Sequence, residues 1–365
     1  MSRHSKLTLF AVLALVVGLL AVASAGAGKP AGDGGAQPPG LDRAVAAQEK
    51  ATPGLLRKHA VVGTAVGVGD DGGPEVLVLA KRSGVRGIPS RVDGVPVDVV
   101  VTGPLSALHH RSGHGGGPPG GGGGDGGSED PAPSLAPTDT WPRPVPIGVS
   151  TGRADECAAG TIGARVKDAS GNVYALSNNH VYAKENDAAA GDRILQPGRY
   201  DLGCAQPGPE HDLGTLVGFA PIVFDGTTPN RVDAAIASTT TGTLGTATPS
   251  SGYGTPTSAT APAVLGQAVQ KFGRTTALTN GTVTGVNATV RVGYSSGTAL
   301  FVDQIIVETR KAGFIKSGDS GSLLVTDPTA EPVGLLFAGN NSGKLAIAND
   351  VDDVLTALSV TVDGR

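Results

Sequence analysis

Phe314-Ile315-Lys316-Ser317-Gly318-Asp319-Ser320-Gly321-Ser322 is the stretch on which the reading of this chain turns. A serine in a tight, glycine-flanked turn presents an exposed hydroxyl. The same turn lets the backbone N–H groups of Gly318 and Ser320 point at one spot, which is what an oxyanion hole requires. A serine hydroxyl is a weak nucleophile and needs a base. In residues 147–365 the histidines are His180 and His211, and none follows Ser320. That excludes the order Ser, Asp, His. It leaves His, Asp, Ser or Asp, His, Ser.

His180 stands in Leu176-Ser177-Asn178-Asn179-His180-Val181, at the end of a strand-like run. Asp233 stands in Val232-Asp233-Ala234-Ala235-Ile236-Ala237, apolar enough to bury a carboxylate. A buried carboxylate needs a partner, and an imidazole N–H is a good one. Asp212, beside His211 in a Gly- and Pro-rich loop, is the rival carboxylate. His211 itself reads as a surface residue.

Short β-branched or alternating runs surround these segments, at 160–166, 173–177, 214–220, 234–237, 268–272, 282–292, 304–307, 321–325 and 333–338. Turn residues separate them. So many short strands suggest an antiparallel sandwich or a pair of barrels. Val351, Val354, Leu355 and Leu358 share a face, which predicts one helix over 349–358.

Together the segments resemble the trypsin-like (chymotrypsin-fold) serine peptidases of a bacterial secreted branch. Gly318-Asp319-Ser320-Gly321 resembles the nucleophile loop, 177–181 the histidine strand and 232–237 the aspartate strand. Lys271-Phe272-Gly273-Arg274-Thr275-Thr276, with Asn280-Gly281-Thr282-Val283, resembles a strand pair in the second barrel. The resemblance covers residues 147–365 and implies an all-β fold of two six-stranded antiparallel barrels with a C-terminal helix. It also implies a triad: His180 as general base, Asp233 orienting it, and Ser320 attacking the peptide carbonyl, with Gly318 and Ser320 N–H groups as the oxyanion hole. Phe314, six residues before the serine, would lie with Gly339 at the primary substrate pocket. A neutral, bulky Phe314 implies small or apolar side chains there. Asn178-Asn179 replaces the small residues usual before the histidine, no Cys follows it, and Ser322 replaces a common Gly or Pro. The rival function is a catalytically silent peptide- or surface-binding protein on the same scaffold.

The N-terminal half is organised differently. Arg3, His4 and Lys6 precede an uncharged run from Leu7 to Ala25 that ends Ala23-Ser24-Ala25. This predicts a secretory signal peptide over 1–25, with an uncleaved anchor as the alternative. The expected location is extracellular or periplasmic, with no stable membrane insertion after cleavage. Residues 26–40 read as disordered. Residues 41–104 read as a small α+β unit: a weak helical pattern broken at Pro53, then strand-like runs at 60–68, 75–79 and 95–102. A possible pro-region, it would be marginal alone. Residues 105–146 read as a Gly- and Pro-rich tether. His109, His110 and His114 fall in it with nothing to orient them, so no metal or other cofactor is expected. Gly67-Val68-Gly69-Asp70-Asp71-Gly72 fits a dinucleotide string, but a strand and Pro74 follow rather than a helix, so it reads as a hairpin turn.

Composition closes several classes. The chain has 365 residues, 57 of them Gly and 26 Pro, with 28 Lys plus Arg against 32 Asp plus Glu. Without a basic excess, no nucleic-acid partner is expected. The expected partner is a polypeptide substrate, bound by a monomer. The cysteines are Cys157 and Cys204. In an exported chain they suggest one disulfide, with two buried thiols as the alternative.

Overall fold

The computed structural model describes residues 37–108, 110–111, 135–310 and 313–365. The signal segment 1–25, most of the Gly-rich run, His109 and His114 lie outside them. Among the described residues no helix is long and apolar enough to cross a membrane.

Helix α1 (Leu41–Leu56) opens the described chain and runs through Pro53, where the sequence suggested a break. A proline inside a helix costs ~3 kcal/mol. Burial of Leu55 and Leu56 beyond it, and a Thr52 hydroxyl bonded to the Gln48 carbonyl at 2.6 Å, work against that cost. Strands β1 (Val61–Val68) and β2 (Pro74–Ala80) follow as a hairpin, with Gly69 N–H bonded to Gly73 O at the turn. The glycine string at 67–72 is therefore the expected turn. Strands β3 (Arg91–Val92) and β4 (Val95–Val101) complete this part, β4 lying parallel to β2. Two short strands come next, β5 (Leu105–Ala107) and β6 (His110–Arg111). They occupy the start of the segment read as a tether.

The first barrel holds β7 (Ser150–Arg153), β8 (Ala158–Thr161), β9 (Ala164–Lys167), β10 (Val173–Ser177), β11 (Arg193–Leu195), β12 (Asp212–Phe219) and β14 (Ala235–Ser238). Antiparallel pairing runs β9–β10–β14–β12–β11–β7–β8. Because β8 and β9 are two halves of one bent strand, this path closes on itself as six strands. The bend is at Ile162-Gly163. The short helix α2 (Asn179–Tyr182) follows β10 directly, and β13 (Asp225–Asn230) pairs parallel with the second barrel.

The second barrel holds β15 (Ala268–Gly273), β16 (Ala277–Gly293), β17 (Thr298–Glu308), β18 (Leu323–Thr326), β19 (Pro332–Asn340) and β20 (Leu345–Asp350). Its ladder closes as β15–β16–β17–β20–β19–β18 and back to β15, all antiparallel. The two six-stranded barrels expected from the resemblance are present. Helix α3 (Val351–Leu358) is the expected C-terminal helix. The Asp350 side chain accepts from the N–H groups of Asp352 and Asp353, which fixes where it starts. Strand β21 (Thr361–Val362) ends the chain against β9.

The N-terminal unit does not stand apart. Strand β16 is 17 residues long, and its second half pairs with β1 as well as with β17. Val62, Ala65, Leu77 and Leu79 then share one apolar cluster with Val290, Phe301, Phe337 and Ile347 of the second barrel. A unit of this size buries little apolar area alone. Here it borrows a neighbour's core.

Strands β7, β11, β13 and β20 were not foreseen. The β7 sequence Ser-Thr-Gly-Arg has no apolar side chain; its pairing with β11 is backbone bonding plus the Thr151 hydroxyl, which donates to Leu195 O at 2.7 Å. The β13 sequence Asp-Gly-Thr-Thr-Pro-Asn carries turn residues and a proline.

Candidate active site

The Gly318-Asp319-Ser320-Gly321 turn is built around Asp319. Its buried carboxylate accepts from the backbone N–H groups of Thr275 (2.8 Å), Thr276 (3.1 Å) and Lys316 (2.9 Å), and from the Thr276 hydroxyl (2.7 Å). Lys271 Nζ, also buried, stands 3.6 Å away, and burial draws its ammonium below the ordinary lysine range. So the Lys-Phe-Gly-Arg-Thr-Thr segment singled out in the sequence grips the turn from beneath. Gly318 (φ +96°) and Gly321 (φ +92°) take conformations that side chains rarely adopt. At Gly321 a Cβ would also overlap the Ser177 hydroxyl and the Thr161 carbonyl.

The turn is clamped to the first barrel. Thr161 N–H donates to Ser320 O at 2.8 Å, and the Thr161 hydroxyl donates to Gly318 O at 2.8 Å. Ser177, three residues before His180, donates from its hydroxyl to Thr161 O at 2.8 Å. This chain of bonds carries the serine of one barrel to the histidine end of the other.

His180 sits in the first turn after β10, fully buried. Its Nδ1 lies 2.5 Å from Asp233 Oδ2, and its backbone N–H donates to Asp233 Oδ1 at 3.1 Å. Asp233 lies two residues before β14, the neighbour of β10, so sheet register brings the pair together. Asn178 Nδ2 donates to Asp233 O, and Asp233 N–H donates to Asn349 Oδ1. The rival Asp212 is engaged elsewhere, with Arg193, and His211 lies 3.4 Å from Glu210.

One partner of this pair escaped the sequence reading. The Tyr294 hydroxyl donates to Asp233 Oδ2 at 2.8 Å, and its ring meets His180 edge-on with centroids 5.9 Å apart. Burial, and then the Asp233 charge, push its phenol well above the ordinary value of 10, so it is a fixed donor at neutral pH. Tyr294 lies in the β16–β17 turn, which Glu185 fastens to the first barrel by accepting from Ser295 and Ser296 N–H. A Gly-Tyr-Ser-Ser turn carries no local signal of such a role.

The cleft holds a segment of the chain itself. Gly318 N–H donates to the Leu108 carbonyl at 2.7 Å. Leu108 N–H and the Ser320 hydroxyl both donate to Phe337 O, each at 3.2 Å. The Leu108 side chain packs on the cluster that contains Phe314 and Ile315. A Cβ on Gly339 would stand 3.1 Å from Leu108 Cδ1. Of the residues singled out in the sequence as pocket residues, Gly339 lies at the Leu108 side chain and Phe314 belongs to the cluster on which that side chain packs. Cys157 and Cys204 form a disulfide in the first barrel, with Cα atoms 5.1 Å apart.

Streptogrisin-A of Streptomyces griseus is 39% identical to this chain over 103 residues, which are 27% of the chain and 32% of that protein. The resemblance to bacterial chymotrypsin-fold serine peptidases holds. The chain spans about a third of that curated relative in the match. A family model described as the Nal1 C-terminal domain matches residues 253–362, which include β15 to β20 and α3. Among solved structures, a glutamic acid specific serine protease is 23% identical, with a TM-score of 0.43, over 60% of this chain and 100% of that one. Cellulomonas bogoriensis chymotrypsin is 21% identical, with a TM-score of 0.39, over 60% and 99%.

Proposed function

We propose that this protein is a secreted serine endopeptidase that cuts peptide bonds through an acyl-enzyme. The observation that carries the reading is the Leu108 carbonyl. It is a peptide carbonyl that accepts from Gly318 N–H, two residues before Ser320, and the Ser320 turn is bonded through Thr161 to Ser177, three residues before His180. In this reading the Ser320 hydroxyl attacks the carbonyl carbon and His180 Nε2 takes its proton. Asp233 holds the imidazole with Nδ1 protonated and faces the charge that forms on it. Three donors on the Asp233 carboxylate, His180 N–H, His180 Nδ1 and the Tyr294 hydroxyl, keep its position fixed. Gly318 and Ser320 N–H groups receive the oxyanion, each donor worth ~10²–10³ in rate. His180 then protonates the leaving amine, and water releases the acyl group by the reverse path.

The pocket reading follows from its lining. Phe314 and Ile315 are buried and apolar. A cationic side chain would lose its hydration there without gaining a counter-charge. The substrates are therefore polypeptides with a small or apolar residue, leucine included, before the cut bond. The signal segment 1–25 routes the enzyme out of the cell.

Ser320→Ala in the full chain tests this. Hydrolysis of a peptide anilide with leucine before the anilide is expected to fall by about 10⁶-fold in kcat. Unchanged hydrolysis by the variant would overturn the reading, and a wild type that binds such peptides without turnover would leave a binding protein.

A further inference from the structure

Soon after His180 the chain passes through the left-handed backbone region at three consecutive residues, none of them glycine: Lys184 (φ +50°), Glu185 (φ +58°) and Asn186 (φ +78°). Such a run is strained and persists only where its surroundings hold it. Paired amides hold this one. Asn186 N–H donates to Asn179 Oδ1 at 3.2 Å, and Asn179 Nδ2 donates back to Asn186 Oδ1 at 2.8 Å. Asn186 Nδ2 donates to Ile222 O at 2.7 Å, and Ile222 N–H donates to Asn186 Oδ1 at 3.0 Å. Asn179 directly precedes His180, so the loop is closed at the histidine itself. What the strained run delivers is the Glu185 side chain. It reaches the β16–β17 turn of the second barrel, where Oε1 accepts from Ser295 N–H at 3.2 Å and Oε2 from Ser296 N–H at 2.7 Å. Both serines are exposed, whereas Glu185 is 7% exposed. A carboxylate gives up that much water only against strong donors.

The same turn carries Tyr294, whose N–H donates to Gly297 O at 2.7 Å. Its ring lies between Phe224 and Phe301, with centroids 5.3 and 6.1 Å away. Packing sets the plane of the ring, and the turn sets how far its hydroxyl reaches toward Asp233. The contacts form a closed circuit. It runs along the chain from His180 to Glu185, across to the turn, from Tyr294 to Asp233, and from Asp233 back to His180. We propose that Glu185 is a positioning residue for the acid–base pair: it sets the Tyr294 hydroxyl on Asp233, and through Asp233 the aim of the His180 imidazole. This rests on the peptidase reading above. A side chain that merely fastened two barrels could bond anywhere along their boundary. Glu185 takes the two N–H groups that directly follow the tyrosine. The aim of a histidine in the first barrel is thereby made conditional on the seating of a turn from the second. A chain whose barrels have not closed on one another holds a misaimed base.

The test is a double-mutant cycle on the full chain. Glu185→Ala should lower kcat for the leucyl peptide anilide by roughly fivefold with KM unchanged, the same loss as Tyr294→Phe. Added to Tyr294→Phe, Glu185→Ala should cost less than about twofold more, because its route to Asp233 is already cut. A combined loss of about 25-fold, the product of the two, would mean that the residues act separately, and overturns the proposal. Glu185→Gln keeps the volume and one acceptor oxygen, so it should fold and lose about twofold. A loss as large as that of the alanine variant would assign the effect to charge rather than to holding the turn, and overturns it as well. Proton NMR of the His180 Nδ1–H shared with Asp233 reads the circuit without turnover. Glu185→Ala and Tyr294→Phe should move that resonance alike, and a signal that Glu185→Ala leaves in place overturns the proposal. A wild type that hydrolyses the anilide, with Glu185→Ala equally fast, leaves the peptidase standing and removes Glu185 from it. A wild type without turnover overturns the peptidase reading, and the NMR shifts still decide the circuit.

Discussion

The two barrels are braced in different ways. The first, which carries His180 and Asp233, packs Ala164, Val166 and Leu176 against Leu323 and Leu335 of the second barrel and against helix α3. A disulfide spans it, and its wall is made of small residues such as Ala164, Ala175, Ala235 and Ala237 packed close. The second, which carries the Ser320 turn, is tied to something else. Its strand β16 runs past the barrel to pair with β1, and its core takes in Leu77 and Leu79 from the N-terminal unit. The candidate site lies where the disulfide-linked barrel meets the one that shares its core with the N-terminal unit. Any change in how the N-terminal unit docks should reach the serine side before the histidine side.

Four variants would break or sharpen that contrast. Asp233→Asn keeps the shape of the first barrel but lets the imidazole settle in the wrong tautomer, and kcat should fall by about 10⁴-fold with the fold intact by circular dichroism. A loss below tenfold would mean that Asp233 does not orient His180. Replacing Cys157 and Cys204 together by Ser opens a link between residues 47 apart in sequence. By loop entropy this costs about 4 kcal/mol, read in urea unfolding and concentrated in first-barrel amide exchange. Equal loss of protection in both barrels would mean that the disulfide does not brace the first barrel in particular.

Gly63→Val acts on the other side. A Cβ there would stand 2.6 Å from Thr289 O and 2.8 Å from Val290 Cγ1, so the β1–β16 ladder must part. We expect about 2 kcal/mol of lost stability, seen as faster exchange in β1, β2 and β16 with the first barrel unaffected. Tyr294→Phe removes one of the donors to Asp233. Its loss is worth about 1 kcal/mol, or roughly fivefold in kcat with KM unchanged. A shift in KM alone would place Tyr294 in substrate binding instead.

Much of the site was legible in the sequence because its parts are local. Gly318-Asp319-Ser320-Gly321 is a turn whose backbone needs glycine on both flanks. Asp233 stands out as an acid in an apolar run. His180 stands out because no histidine follows Ser320. Tyr294 was not legible, since its reach to Asp233 depends on β16 extending 17 residues and on Glu185 fastening the turn. The strands at 105–111 were hidden for another reason. Leu-Ser-Ala and His-Arg are too short and too weakly apolar to signal a strand, and they adjoin a glycine run that reads as tether. Their pairing comes from the open edges of β19 and β8, which a local reading does not contain.

The sequence by itself determined the barrel class, the order of the three candidate catalytic groups, and the helix at the C-terminus. Each depends on side-chain pattern or turn chemistry within a few residues. Only the tertiary structure decided that the N-terminal unit shares the second barrel's core, and that the Leu108 carbonyl stands at Gly318 N–H beside Ser320. Those outcomes depend on backbone hydrogen bonds between residues some two hundred positions apart. Every residue but proline offers the same N–H and C=O for such bonds, so which strands meet is settled by packing rather than by any local signature.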